Sequence, residues 1–144
     1  MKKFLTFLCV GAAILSMMNF SALAAAPDQR VIDLGDGFYA VETISQSPTG
    51  RSGGSVSGNK TRNIYSGSTL IGIATLNGTF DISGSSAKAT DAYIAGTGKN
   101  GGAYLRGTTR LSGNTAYGTA YFSYNGAEKS VNISLSCSSD GTIS

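Results

Sequence analysis

Thr115-Ala116-Tyr117-Gly118-Thr119-Ala120-Tyr121-Phe122-Ser123-Tyr124-Asn125-Gly126-Ala127-Glu128-Lys129-Ser130-Val131-Asn132-Ile133-Ser134-Leu135-Ser136 is the stretch whose reading decides the fold. Asn-Gly between two alternating runs is the strongest short-range hairpin signal, because a type I′ turn requires positive φ at both central residues. A two-residue loop here pairs Phe122 with Lys129, Ala120 with Val131, Gly118 with Ile133 and Ala116 with Leu135. Apolar side chains then meet apolar side chains on one face. Tyr117, Thr119, Tyr121, Ser123, Glu128, Ser130, Asn132 and Ser134 fall on the other. Lys129, at the hairpin tip, is the one residue on the apolar face that does not belong there by type. Turn and alternation are independent signals, and they agree.

Working upstream, Ala74, Leu76, Gly78, Phe80 and Ile82 alternate with Thr75, Asn77, Thr79 and Asp81, which reads as a second amphipathic strand. Ser66-Gly67-Ser68 and Ser83-Gly84-Ser85-Ser86 bound it as turns. Further strands are expected at Lys60 to Tyr65, Ala87 to Ile94 and Ala103 to Leu111, and nowhere does a helical period persist for three turns. Six or seven short strands at regular spacing predict an all-β domain over 55–144, either a small antiparallel β-sandwich of immunoglobulin-like kind or a partly open barrel.

The rest of the 144 residues divides into two segments. Lys2-Lys3, the apolar run Phe4 to Met18 and the Ala22-Leu23-Ala24 exit have the three parts of a secretory signal, with cleavage expected after Ala24. The run is too short to span the roughly 20 residues a membrane helix needs, so a secreted protein is expected, with no stable membrane insertion. It would be released, or held at the cell wall by contacts alone. Residues 25–54 read as an acidic leader and a Gly/Ser linker. Asp28, Asp33, Asp36 and Glu42 oppose Arg30 there, while Pro48 to Ser144 carries an excess of basic residues. Ser47 to Gly54 has the composition of a flexible connection. A solvated arm, ordered at most around Phe38-Tyr39-Ala40-Val41, is the reading for this leader; folding back onto the basic core and trimming are the alternatives.

Composition excludes several chemistries. The chain has no His and no Trp, and Cys9 lies in the signal, leaving Cys137 alone. A Ser-His-Asp triad, a Cys-His dyad and a His-ligated metal are ruled out, so neither a cofactor nor a metal is expected. With the signal removed the net charge is close to zero, which does not suit a bulk nucleic-acid binder. Gly96-Thr97-Gly98-Lys99-Asn100-Gly101 fits the dinucleotide fingerprint by letter only, because no helix follows it to hold a pyrophosphate, and it reads as a flexible loop. Cys137 falls on the inward face opposite Asn114 and reads as an inert core thiol. Asp81, Asp91, Glu128 and Asp140 sit at strand ends, a hairpin tip and a Ser-Asp-Gly turn, where local hydrogen bonding accounts for them. The sequons at Asn59, Asn77 and Asn132 follow from composition.

Asp36-Gly37-Phe38-Tyr39, Glu42-Thr43-Ile44, Asn77-Gly78-Thr79-Phe80, Gly84-Ser85-Ser86-Ala87, Ser112-Gly113-Asn114-Thr115-Ala116, Leu135-Ser136-Cys137-Ser138 and Gly141-Thr142-Ile143-Ser144 together resemble a family of small secreted Gly/Ser/Thr-rich proteins of unknown function from Gram-positive bacteria. The resemblance implies a Cys near position 89 to pair with the C-terminal one. Ala89 stands there instead, and the resemblance implies no activity.

One constellation on the outward face has chemical content. Tyr117 and Tyr121 share a side of one strand, and Tyr104, Arg106, Thr108 and Arg110 share a side of the strand before it. If the two strands are neighbours, Tyr104, Arg106, Arg110, Tyr117 and Tyr121 form an exposed field of rings and guanidinium groups. Rings stack on sugars and Arg forks bind carboxylate or phosphate, so a non-catalytic surface module for cell-wall or host glycans is expected. A bacteriocin-like antagonistic factor is the alternative. Tyr, Thr and Arg also suit exposed strands for structural reasons alone.

Overall fold

A computed structural model describes residues 29–46 and 54–144. The expected signal and the Ser47 to Gly53 part of the expected linker lie outside the described residues. Among the described residues eight strands follow one another: β1 (Arg30–Gly35), β2 (Phe38–Gln46), β3 (Gly54–Ser66), β4 (Thr69–Ser83), β5 (Ser86–Gly98), β6 (Ala103–Ser112), β7 (Thr115–Tyr124) and β8 (Ala127–Ser136). They form two antiparallel sheets, ordered β1-β2-β3-β4-β5 and β6-β7-β8. The protein is thus all-β with a sandwich-like pairing of two sheets. Every neighbour in a sheet is a neighbour in sequence, so the connections run as a meander. Likeness to an immunoglobulin domain stops at the two-layer architecture, since that domain is wired by Greek-key crossovers.

The β7–β8 hairpin has the register its turn dictates, from Tyr124 opposite Ala127 to Thr115 opposite Ser136. Asn125 and Gly126 both hold positive φ, 49° and 78°. Ala116, Ala120, Phe122, Val131, Ile133 and Leu135 are buried, and they meet Val56, Ile64, Ala74, Leu76, Phe80 and Ile82 of the larger sheet in one apolar cluster. Each fully buried Phe, Leu or Ile side chain contributes about 1.5–3 kcal/mol relative to exposure. Lys129 finds a reason at its inward tip position: its Nζ lies 2.5 Å from Asp36 Oδ2 and 5.0 Å from the Phe38 ring centre.

That contact corrects the reading of the leader. Residues 30–46 are a hairpin, and β2 pairs along its length with β3, from Phe38 opposite Ser66 to Gln46 opposite Gly58. The ordered domain therefore begins at β1, well before residue 55. Phe38 and Ala40 are buried in the core. The inward row continues through charged residues: Glu42, 6% exposed, receives Arg62 Nε at 2.7 Å and Arg62 Nη2 at 2.6 Å, with Lys60 Nζ at 3.8 Å. The Arg62 guanidinium also donates through Nη1 to the Asn132 carbonyl, tying β3 to the outer edge of β8.

The last residue of β8 and the segment after it are paired by the return of residues 142–144. Cys137 bridges Ile143, and Ser136 and Ser144 exchange two backbone hydrogen bonds of 2.9 Å. Asp140 holds this return in shape by accepting from Ser138 Oγ and, at 2.9 Å, from the Thr142 amide. The end of the edge strand closed in this way does not offer its backbone to a foreign strand. The fingerprint-like Gly96 to Gly101 run is likewise ordered. Gly96 to Gly98 complete β5, and a tight turn follows in which Asn100 Nδ2 donates to the Leu70 carbonyl at 2.8 Å.

Candidate functional site

Strands β6 and β7 are paired, with Arg106 opposite Tyr121, Thr108 opposite Thr119 and Arg110 opposite Tyr117. This adjacency brings four of the five expected site residues onto one outward face. Arg106 and Arg110 each lie over the ring of the tyrosine opposite, with guanidinium carbon to ring centre 3.9 Å in both cases. Such stacking fixes a long side chain that would otherwise sample many rotamers, and it presents the guanidinium edge rather than the ring face to solvent. Sugar stacking on Tyr117 and Tyr121 is accordingly less available than the sequence suggests. The donors of the two forks take its place.

Tyr104 does not join them. The register shifts between Tyr104 and Arg106, leaving Leu105 as the extra residue of a β-bulge, so Tyr104 pairs with inward-facing Phe122. Its ring meets Phe122 edge-on at 5.5 Å and packs against the core. Gly96 makes this possible, because a Cβ there would collide with the Tyr104 ring. A bulge has no signature in a period-two reading, which is why the sequence places Tyr104 on the wrong side.

The two arginines differ in electrostatics. Arg106 Nη2 sits 3.0 Å from Glu128 Oε1 and is neutralised by it. Arg110 has no acidic partner among the described residues. It borders a shallow groove of about 380 Å³ together with Tyr117, Gly118, Thr119, Asn132, Ile133 and Ser134. Thr119 Oγ1 donates to Asn132 Oδ1 at 2.8 Å. This bond uses one lone pair of the Asn132 amide oxygen, and its Nδ2 has no side-chain partner among the described residues. The groove thus combines one unpaired positive fork with neutral donors, a set that complements a carboxylate or a phosphodiester.

Cys137, Asp140 and Glu128 have structural roles. Cys137 is fully buried and donates weakly to the Ser138 carbonyl at 3.4 Å. Burial, and secondarily the negative charge of Asp140, push its thiol above the ordinary cysteine value, which disfavours the reactive thiolate. Hydrogen bonds from Ser138 and Thr142 lower the Asp140 carboxyl. Glu128 is committed to Arg106. Asp81 stands opposite Lys88 in the ladder, and Asp91 lies within β5, away from the strand end where the sequence puts it. No cluster of three or more His, Cys, Asp or Glu side chains suited to a metal occurs among the described residues. Comparisons with family models, with curated proteins and with solved structures gave no match.

Proposed function

We propose that this protein is a secreted, non-catalytic surface module that binds an anionic cell-wall or host glycan through the outward face of β6–β8. The observation that carries the reading is Arg110. Its guanidinium is immobilised on Tyr117, lacks an acidic partner among the described residues, and borders a groove with the Asn132 amide. A fork pre-organised in this way loses little side-chain entropy on meeting a planar carboxylate or a phosphate. Arg106 serves the same face differently: it lies over Tyr121 and pairs with Glu128, so its charge is already partnered.

Co-sedimentation with purified Gram-positive cell walls, before and after removal of their anionic polymers, tests the proposal. The wild type is expected to pellet with intact walls and to stay in solution with stripped ones. Raising the salt well above physiological strength should release it, because an exposed charge contact is screened within about 8 Å at 0.15 M salt. Arg110→Ala and Tyr117→Ala should each abolish pelleting, whereas Tyr104→Phe should not. Absence of wall binding by the wild type overturns the reading and favours the antagonistic, bacteriocin-like alternative, for which growth inhibition of neighbouring bacteria is the assay.

A further inference from the structure

The outer face of the larger sheet carries a separate constellation. Across β2, β3, β4 and β5, Ser45, Asn59, Asn77 and Tyr93 stand opposite one another in a single row, and Ser57, Thr79 and Asp91 form the row beside it. A shallow groove of about 270 Å³ runs over Ser57, Asn59, Asn77, Thr79, Asp91 and Tyr93. Tyr93 is 60% exposed at one end of the row. Ser57 and Thr79 share a hydrogen bond of 3.2 Å, while the amides of Asn59 and Asn77 and the Asp91 carboxylate have no side-chain partner among the described residues.

A β-bulge builds this arrangement. The register of β4 with β5 shifts so that Thr79 faces Asp91 while Phe80 faces Ala89, and Thr90 is the extra residue, its hydroxyl donating to the Thr79 carbonyl at 3.2 Å. Without the bulge, Ala89 and Asp91 would share a face. With it, Ala89 is buried in the core and Asp91 stands outside beside Tyr93. Bulges that re-aim a side chain are concentrated next to functional sites.

We propose that this groove is a second binding site, specific for an uncharged sugar. Three properties select that class. A flat exposed ring accepts the apolar face of a pyranose. Two amides, each with donors and an acceptor, match hydroxyl pairs, which also donate and accept. The single carboxylate accepts from hydroxyls and repels anionic polymers, the opposite of the Arg110 groove. A cationic ligand would use Asp91 and Tyr93 but leave both amides idle. The site is independent of the Arg110 reading, on a different sheet with different chemistry.

The test is a ¹⁵N-resolved NMR titration of the protein with uncharged tetrasaccharides of glucose, mannose and N-acetylglucosamine, each to about 10 mM, a range suited to contacts of millimolar affinity. The expected result is amide shifts confined to the Asn59, Asn77, Asp91 and Tyr93 neighbourhood for at least one of the three, unchanged in high salt. Tyr93→Ala should weaken that response by about tenfold or more, Asp91→Asn should preserve it because an amide still bonds a hydroxyl, and Arg110→Ala should leave it untouched. Preserved spectral dispersion confirms that the variants are folded. No shifts with any of the three sugars, shifts elsewhere on the surface, or a response to choline chloride alone that Asp91→Asn abolishes would each overturn the proposal.

Discussion

The β7–β8 hairpin and the β2–β3 pair are built on the same alternation, yet they bury different chemistry. In β7–β8 the inward row is Ala116, Gly118, Ala120, Phe122, Val131, Ile133 and Leu135, and transfer of apolar surface from water accounts for its stability. In β2–β3 the inward row starts with Phe38, Ala40 and Ile64 and then runs into Glu42, Lys60 and Arg62, all shielded from water. Burying those charges costs several kcal/mol per ion, and the convergence of Arg62 Nε and Nη2 on Glu42 Oε2, with Lys60 near Oε1, offsets it. A strand's burial therefore depends on what its neighbours supply, as well as on its own hydrophobicity.

Mutations separate the two regimes. The largest effect is expected from Phe122→Ala, which empties a fully buried aromatic site and should lower unfolding free energy by about 4 kcal/mol in urea denaturation. Glu42→Ala comes next, at about 3 kcal/mol, because it leaves the Lys60 and Arg62 charges buried without a counter-ion. Similar losses for the two would show that the leader hairpin is as integral as the core hairpin. A negligible loss for Glu42→Ala would show that β1 and β2 are dispensable.

Gly126→Ala should cost about 1–2 kcal/mol, since an L side chain is placed at φ 78° in the turn that sets the register. Lys60→Met should have the opposite sign, leaving the protein as stable or up to about 1 kcal/mol more so, because a poorly compensated ammonium is replaced by an apolar chain of similar length. The pH dependence follows. Burial lowers the Lys60 pKa below its ordinary 10.5, against the smaller pull of Glu42 in the other direction. The unfolded chain then holds that proton more tightly than the folded one, so the stability penalty of Lys60 is present in full at neutral pH and disappears as pH rises through the lowered value towards 10.5. Thermal melts of the wild type and Lys60→Met should converge over that alkaline window. The smallest effect is expected from Arg110→Ala, within about 0.5 kcal/mol of wild type in stability despite complete loss of wall binding.

The legibility of each region follows from these energetics. The β7–β8 hairpin was readable because turn chemistry and apolar alternation coincide there, and β4 because Ala74, Leu76, Phe80 and Ile82 alternate without a break. The β1–β2 hairpin was hidden by its own composition: Asp33, Asp36 and Glu42 read as a solvated acidic arm. Asp36-Gly37, with φ values of 55° and 77°, is the turn signal that marks it, the same device as Asn125-Gly126. For the candidate site, Arg106, Arg110, Tyr117 and Tyr121 needed only the correct strand neighbour. Tyr104 faces the other way because one extra residue, Leu105, reverses the alternation ahead of Arg106. The Tyr93 groove is not legible in the sequence for a related reason, since its row is assembled from four strands whose alignment no single segment encodes.

What the sequence determined by itself is local: all-β character, the type I′ turn and its register, the exclusion of histidine chemistry, and the outward polarity of β7 and β8. These follow from backbone sterics and from side-chain alternation within one or two strands. Tertiary structure alone decided which face each bulged strand presents, that Glu42 belongs inside because Arg62 reaches it at 2.6 Å, and that Lys129 at a hairpin tip answers Asp36 from the far end of the chain. Those outcomes depend on pairings between residues distant in sequence. Strand pairing within a sheet brings Arg62 to Glu42, and packing of the two sheets brings Lys129 to Asp36, close enough for electrostatics to act.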